Sequence, residues 1–307
     1  MLTLRPGVST RPPLHIPVTA RSGFRRTAGG RPCEGCAMQT DRAGTARGPA
    51  HSDRYFFDQG AEARIRAVEQ LMDPGSIRVL ANLVTPGARC LEVGAGGGSI
   101  VRWLCDAVGA AGEVVATDID TWFLERINAA NLLVRRHDIV HDSLEKRGFD
   151  LIHARLVLEH LPDRDAALKK LIAALRPGGW IVLEDADYVS GVPVTTWGST
   201  DYESVEAVRR REFAASGINH YLGRELPGWL RQHGLVQVGN EGRVWVMEGG
   251  SAGAQWFGLS IAHLRTRLVG PGKLTDEQVD RMLALFQDPS WSAFSPIIMA
   301  AWGQAPT

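Results

Sequence analysis

From Tyr55 onward the apolar positions follow two alternating periods. Ile65, Val68, Leu71 and Met72 share one helical face, and Ile77, Val79, Leu80 and Leu83 predict a second helix ending before Pro86-Gly87. Residues 89–93 form a short apolar run closed by glycine, after which Ile100, Val101, Leu104 and Val108 recur at helical spacing. The alternation continues with strands at 113–117, 132–136, 149–153 and 180–184, and with helices at 122–130 and 165–175. The second of these helices carries the stripe Leu168, Leu171, Ile172, Leu175 and stops at Pro177-Gly178-Gly179. Strands alternating with helices predict an α/β fold, a mainly parallel sheet with helices on both faces. Beyond Asp185 the pattern predicts helices at 201–213 and 225–233 and two last strands at 236–247 and 294–302. Between those strands lies an insert, residues 248–291, with helices expected at 259–268 and 275–286.

The 307 residues, 44% of them hydrophobic, suffice for one substantial core. Basic and acidic residues balance at 34 each, so net charge points to neither nucleic acid nor a membrane surface. The first 50 residues depart from that balance, because eight arginines face only Glu34 and Asp41, leaving +6 there and −6 elsewhere. Rich in Arg, Pro, Gly and Thr and without apolar periodicity, residues 1–50 are expected to be a disordered tail. Its composition fits either an organelle transit segment lacking a clear amphipathic helix or an over-extended start ahead of Met38. Cys33-Glu34-Gly35-Cys36 has half the ligands of a zinc site and no second pair nearby, so no metal is expected. Cys90 and Cys105 fall on an expected buried strand and helix as small apolar thiols. No run of about 18 apolar residues occurs, so no spanning helix is expected and the cytoplasm is the expected compartment.

Candidate chemistry begins with Leu91-Glu92-Val93-Gly94-Ala95-Gly96-Gly97-Gly98-Ser99, which joins an expected strand to an expected helix. Glycine lets the backbone approach a ligand while the helix start offers unpaired N–H groups, so the loop suits a nucleotide-like cofactor; packing alone is the alternative. Glu92, at the strand end, is placed to hold a cationic amino group rather than a pyrophosphate. Asp118 ends the next strand, 24 residues after Gly94, where a carboxylate accepts ribose hydroxyls. Its other reading is a helix N-cap, a role that Asp120 or Thr121 fills better. Asp138 either bonds an adenine amino group, with Ile139 on the ring, or is a solvated loop acid.

Residues 91–98, 116–120, 137–139, 149–162 and 175–184, taken in order, resemble the motifs of class I S-adenosylmethionine-dependent methyltransferases, especially small-molecule enzymes common in actinobacteria. The resemblance implies a Rossmann-like seven-stranded sheet with its last strand antiparallel and S-adenosylmethionine as cofactor. It makes residues 51–307 the methyltransferase domain, with lid helices at 51–85. Carried onto this chain, it places Glu92, Gly94, Ala95 and Gly96 at the methionine part, Asp118 and Ile119 at the ribose and adenine, and Asp138 and Ile139 at the adenine. It sets Ala154-Arg155-Leu156 beside the sulfonium, with Arg155 departing from the small or polar residues common there.

Methyl transfer from a sulfonium needs no enzyme nucleophile, because positioning and water exclusion supply most of the rate. A base for an oxygen or nitrogen acceptor is sought among His160, Asp185, Asp187 and His220, each with a structural alternative as cap, turn or surface residue. Trp256, Phe257 and His263, with Tyr55 and Phe56, are expected either to wall an apolar small-molecule acceptor or to dock the insert on the sheet. Two rivals share the glycine loop. A nicotinamide-dependent oxidoreductase is disfavoured because Ser99 replaces the third glycine of the fingerprint, and a non-catalytic cofactor-binding subunit is left open by the lack of a decisive catalytic residue.

Overall fold

The computed structural model describes residues 61–307. The Arg-rich tail, the Cys33-Cys36 pair, Met38, Tyr55 and Phe56 lie outside the described residues. Element order is α1 (Ala61–Leu80), β1 (Arg89–Val93), α2 (Ser99–Val108), β2 (Glu113–Asp118), β3 (Leu132–Arg136), β4 (Phe149–Arg155), α3 (Arg164–Ala174) and β5 (Leu175–Asp187). There follow β6 (Val192–Pro193), α4 (Ser199–Ala215), α5 (Leu222–Gln232), β7 (Val236–Arg243) and β8 (Val246–Glu248). The chain closes with α6 (Ala252–Leu268), α7 (Asp276–Leu285), β9 (Ser292–Phe294) and β10 (Ile297–Gln304).

Seven strands form one sheet in the order β3-β2-β1-β4-β5-β10-β7, with the first five parallel and β10 antiparallel to both neighbours. Side chains alternate across a strand, and here the alternation sorts the core into two layers. Cys90, Val114, Ala116, Leu151, Val182 and Ala300 pack under α2 and the end of α1. Leu91, Val93, Val115, Ile152, Ala154, Leu183 and Ala301 face the opposite way, against α3 and α5. A third apolar cluster joins α1, α4, α6 and α7 around Met72, Val205, Phe257, Ile261, Phe286 and Trp291. Glycine loop, strand ends and this helical cluster thus meet at the carboxyl edge of the sheet, where open α/β sheets bind ligands.

The expected sheet, its antiparallel last strand and the helical insert are all present. Four local expectations are corrected. Where two helices were expected before β1, α1 runs unbroken through Pro74. The lost backbone bond and the ring clash of an internal proline are outweighed by anchors on both sides: Asp73 pairs with Arg155, and Ser76 donates to Glu184. The helix expected at 122–130 is only a single 3-10 turn, Leu124–Arg126. Leu124 is buried, but Trp122 is 50% exposed beneath the Arg126 guanidinium, so no stripe faces the core. Strand β5 extends to Asp187, so Asp185 and Asp187 lie within it rather than beyond it. Finally, the strand expected at 236–247 splits, and β6, β9 and β8 form a separate three-stranded sheet. The split occurs where the Trp245 N–H leaves the main ladder to donate to Ser295 Oγ.

Candidate active site

The loop between β1 and α2 takes its shape from three glycines with positive φ, Gly94 (64°), Gly96 (53°) and Gly98 (79°), a region costly for residues with a side chain. At Gly94 space is also limiting, because a Cβ would collide with Val157. Asp118 fastens the loop from β2: one carboxylate oxygen accepts the Gly96 N–H at 2.9 Å and the other accepts the Asp120 N–H at 3.0 Å. Burial raises the Asp118 pKa against these backbone bonds. From above, Glu69 of α1 accepts the Ser99 N–H at 3.2 Å, at the α2 N-terminus where Gly98 offers no side-chain cap.

One cavity begins at this loop. Its lining at this end comprises Glu92, Gly94, Ala95, Gly96, Asp118, Ile119, Asp138 and Ile139, which brings together the residues at the ends of the first three strands that the sequence singled out. Asp138 also organises its own turn, accepting the Val140 N–H and pairing with His141 Nδ1 at 2.8 Å. The His141 contact and backbone donors hold its pKa below the usual carboxylate range despite partial burial.

The cavity continues past Arg155, Leu156 and Val157 to a wall formed by Tyr188, Phe213, Trp256 and Phe257. Leu156 has φ 54°, an unusual backbone for a leucine, and its N–H donates to the Glu184 carbonyl at 2.7 Å. Arg155 is tied to α1 through Asp73 Oδ1 and Ser76 Oγ, both at 2.9 Å. Arg209 crosses the back of the aromatic wall, bonded to Glu206 at 2.7 Å and lying 4.7 Å from the Tyr188 ring centre and 4.9 Å from that of Phe213.

Among the four base candidates, His160 lines the cavity, with Nε2 3.3 Å from Glu159 Oε1. Buried Glu159 is itself fixed by the Tyr188 hydroxyl at 2.8 Å and the Ala186 N–H at 3.1 Å. Asp185 and Asp187 stand outside the lining. Asp185 is fully buried beneath Glu159, and burial together with the Glu159 charge pushes its pKa well up. Asp187 caps the turn at Val189 and pairs with Arg224 at 2.6 Å. His220 stacks on Phe213, ring centres 5.9 Å apart, and faces a separate depression. Of the expected lid, Trp256 and Phe257 reach the cavity while His263 does not line it.

Sequence reasoning passed over Tyr188, in the turn after β5, and over Glu69, Arg209 and Phe213, which reach the cavity only because α1 and α4 fold over the strand ends. It also passed over a buried ionic cluster. His153 Nδ1 donates to both Glu92 carboxylate oxygens, at 2.9 and 2.8 Å, and Nε2 lies 3.4 Å from Glu184 Oε1. Burial alone would lower the His153 pKa, but Glu92 and then Glu184 raise it to about 9. Against its own burial, Glu184 is held down to about 2 by His153, Arg243 and Arg155. A signal was present: Glu92, His153 and Glu184 each follow an apolar run inside a strand, and buried charges require one another.

Comparison with known proteins agrees with this architecture. Residues 64–238, more than half of the chain, match the methyltransferase-domain family. The chain is 30% identical over 167 residues to methyltransferase str2 of Strobilurus tenacellus, covering 52% of this chain and 59% of that protein. It is 27% identical over 217 residues to the ubiquinone/menaquinone biosynthesis C-methyltransferase UbiE of Cupriavidus pinatubonensis, covering 65% of this chain and 88% of that one. Among solved structures, phosphoethanolamine N-methyltransferase 2 of Haemonchus contortus with S-adenosyl-L-methionine superposes with a TM-score of 0.52 at 16% identity, covering 83% of this chain and 60% of that chain. With the family matched across the glycine loop and the following strand ends, and the sheet order found here, the chain belongs to the methyltransferase-domain family and has the class I S-adenosylmethionine-dependent methyltransferase fold.

Proposed function

We propose that the protein transfers a methyl group from S-adenosylmethionine to an oxygen, nitrogen or carbon atom of an apolar small molecule. The observation that carries this reading is the single cavity running from the glycine loop, past Arg155 to Val157, to the aromatic wall. The residues present suit the donor: Glu92 offers a carboxylate for an ammonium group, Asp118 for ribose hydroxyls, and Ile119 and Ile139 offer apolar faces to adenine. Gly94, Ala95 and Gly96 line the methionine end, with Gly94 packed against Val157. When bound, S-adenosylmethionine supplies an electrophilic methyl group that the acceptor atom displaces in line.

The rest of the work falls to the protein. Tyr188, Phe213, Trp256 and Phe257 exclude water and orient a flat apolar acceptor. His160, backed by Glu159, takes the proton from a hydroxyl or amine acceptor. Asp185 and Asp187 serve this arrangement indirectly, the first beneath the Glu159 backbone and the second at the turn that presents Tyr188. No described helix is long and apolar enough to cross a membrane, and the buried free thiols Cys90 and Cys105 suit a reducing cytoplasm.

Incubation with S-adenosylmethionine labelled in its methyl group and a panel of aromatic and polyketide-like metabolites tests the reading by mass spectrometry. The expected result is one labelled methyl on a panel member with matching release of S-adenosylhomocysteine. Cofactor binding with no transfer to any member would favour a non-catalytic binding subunit.

A further inference from the structure

Glu92 faces the donor half of the cavity, yet its carboxylate does not stand alone. Strand register sets Glu92 beside His153, and the next pair along, Arg155 and Glu184, extends the charges across three strands. Beyond Glu184 its Oε2 accepts from Ser76 at 3.0 Å and from Arg243 at 2.8 Å, and Ser76 in turn accepts from Arg155, which pairs with Asp73. Three carboxylates, Glu92, Glu184 and Asp73, therefore meet three cations, His153, Arg155 and Arg243. At its far end Arg243 also meets Glu241, which pairs with Arg78 near the surface.

This arrangement exceeds what packing requires. His153 and Glu184 are wholly buried, and apolar residues of similar volume would fill the same positions at less desolvation cost. What distinguishes the cluster is its two outlets, Glu92 at the cofactor loop and Arg155 at the junction of the cavity halves. We propose that His153 is a positioning residue for methyl-donor binding: its Nδ1–H, bonded to both Glu92 carboxylate oxygens, holds that carboxylate aimed at the donor's amino group, while its Nε2 edge faces Glu184. The inference rests on the reading of Glu92 as the donor's ammonium ligand. Through Glu184, Ser76 and Arg155 the same cluster fastens α1 over the loop, so the donor's counter-ion and the roof of its site share one set of contacts.

Replacing the imidazolium by a neutral amide leaves buried carboxylates with one cation too few, so one of them binds a proton as pH falls. Cofactor affinity then becomes pH-dependent where the native protein's is flat. The test measures the dissociation constant of S-adenosylhomocysteine for the native protein, Glu92→Gln, His153→Gln and the double variant, between about pH 6 and 7.5, below the titration of the ligand's own amine.

The expected results are a flat native profile, an increase of about tenfold or more in Glu92→Gln from a lost charged contact, and in His153→Gln an affinity that weakens toward low pH. In the Glu92→Gln background His153→Gln adds nothing further. Unchanged affinity in Glu92→Gln defeats the reading of Glu92 itself. A Glu92→Gln loss to which His153→Gln adds independently, or a pH-flat His153→Gln, overturns the positioning role and leaves that reading intact. Should His153→Gln fail to fold, nitrogen NMR of histidine-labelled native protein at about pH 8 decides the matter. An imidazolium whose Nδ1 signal moves on ligand addition supports the role, and a neutral ring overturns it.

Discussion

The two halves of the cavity are built in opposite ways. The half proposed for the donor is made of strand ends and the turns after them: Glu92 lies at the end of β1 with the glycine loop after it, Asp118 ends β2, and Asp138 follows β3. Its residues are neighbours because adjacent parallel strands carry them there. The half proposed for the acceptor is assembled from α4, α6 and the turn after β5, brought together only by the packing of helices over the sheet. A parallel sheet fixes the first geometry within narrow limits, whereas helix packing leaves the second free to vary. The contrast teaches that a constant donor and a changeable acceptor can share one cavity, with Arg155, Leu156 and Val157 as the seam.

That division can be broken by substitutions confined to one half. The largest effect is expected at His160: His160→Gln should lower kcat by about 10²- to 10⁴-fold while calorimetry finds cofactor affinity unchanged, and a matching loss of cofactor affinity would erase the division. Next, Asp118→Ala should weaken cofactor binding by about 1 to 3 kcal/mol through lost charged hydrogen bonds. Because Asp118 also holds the Gly96 N–H, the loop loosens with it; unchanged affinity would reject the ribose assignment. On the acceptor side, Ser260→Leu narrows the wall of α6 and should raise the acceptor KM about tenfold, or ~1.4 kcal/mol, with the cofactor dissociation constant intact.

The smallest effect concerns pH and stability. His153, raised to about 9 from 6.5, contributes stability fully present below pH 6.5 and lost as pH rises through about 9. Glu184, lowered to about 2 from 4.5, contributes in the other direction, fully above pH 4.5 and lost as pH falls toward about 2. Thermal melts should therefore hold a plateau between these limits, and His153→Gln should flatten the alkaline limb. A native alkaline limb unchanged by that substitution would detach His153 from the cluster.

The same contrast explains what could be read in the sequence. Apolar runs followed by Gly94, Asp118 and Asp138 located the strand-end lining of the cavity residue by residue, because the period of a buried strand and the turn after it are local properties. The two helices expected before β1 are one because the anchors that carry α1 through Pro74 come from Arg155 and Glu184, about 80 and 108 positions away and out of reach of any local pattern. The helix expected at 122–130 shrinks to one turn because, of its first residues, only Leu124 is buried while Trp122 stays half exposed. Asp185 and Asp187 were sought as bases because a five-residue apolar run seemed to end before them; the antiparallel partner β10 continues the strand, pairing Met299 with Asp185 and Ile297 with Asp187. Arg209 and Phe213 carried no local mark at all, since their role depends on where α4 comes to rest.

The central claim, that the strand-end half of the cavity is an S-adenosylmethionine site, is tested most directly by calorimetric titration with S-adenosylmethionine, S-adenosylhomocysteine and NAD in parallel. The account predicts saturable one-to-one binding of the first two and none of NAD. Saturable NAD binding without any response to S-adenosylmethionine would contradict it.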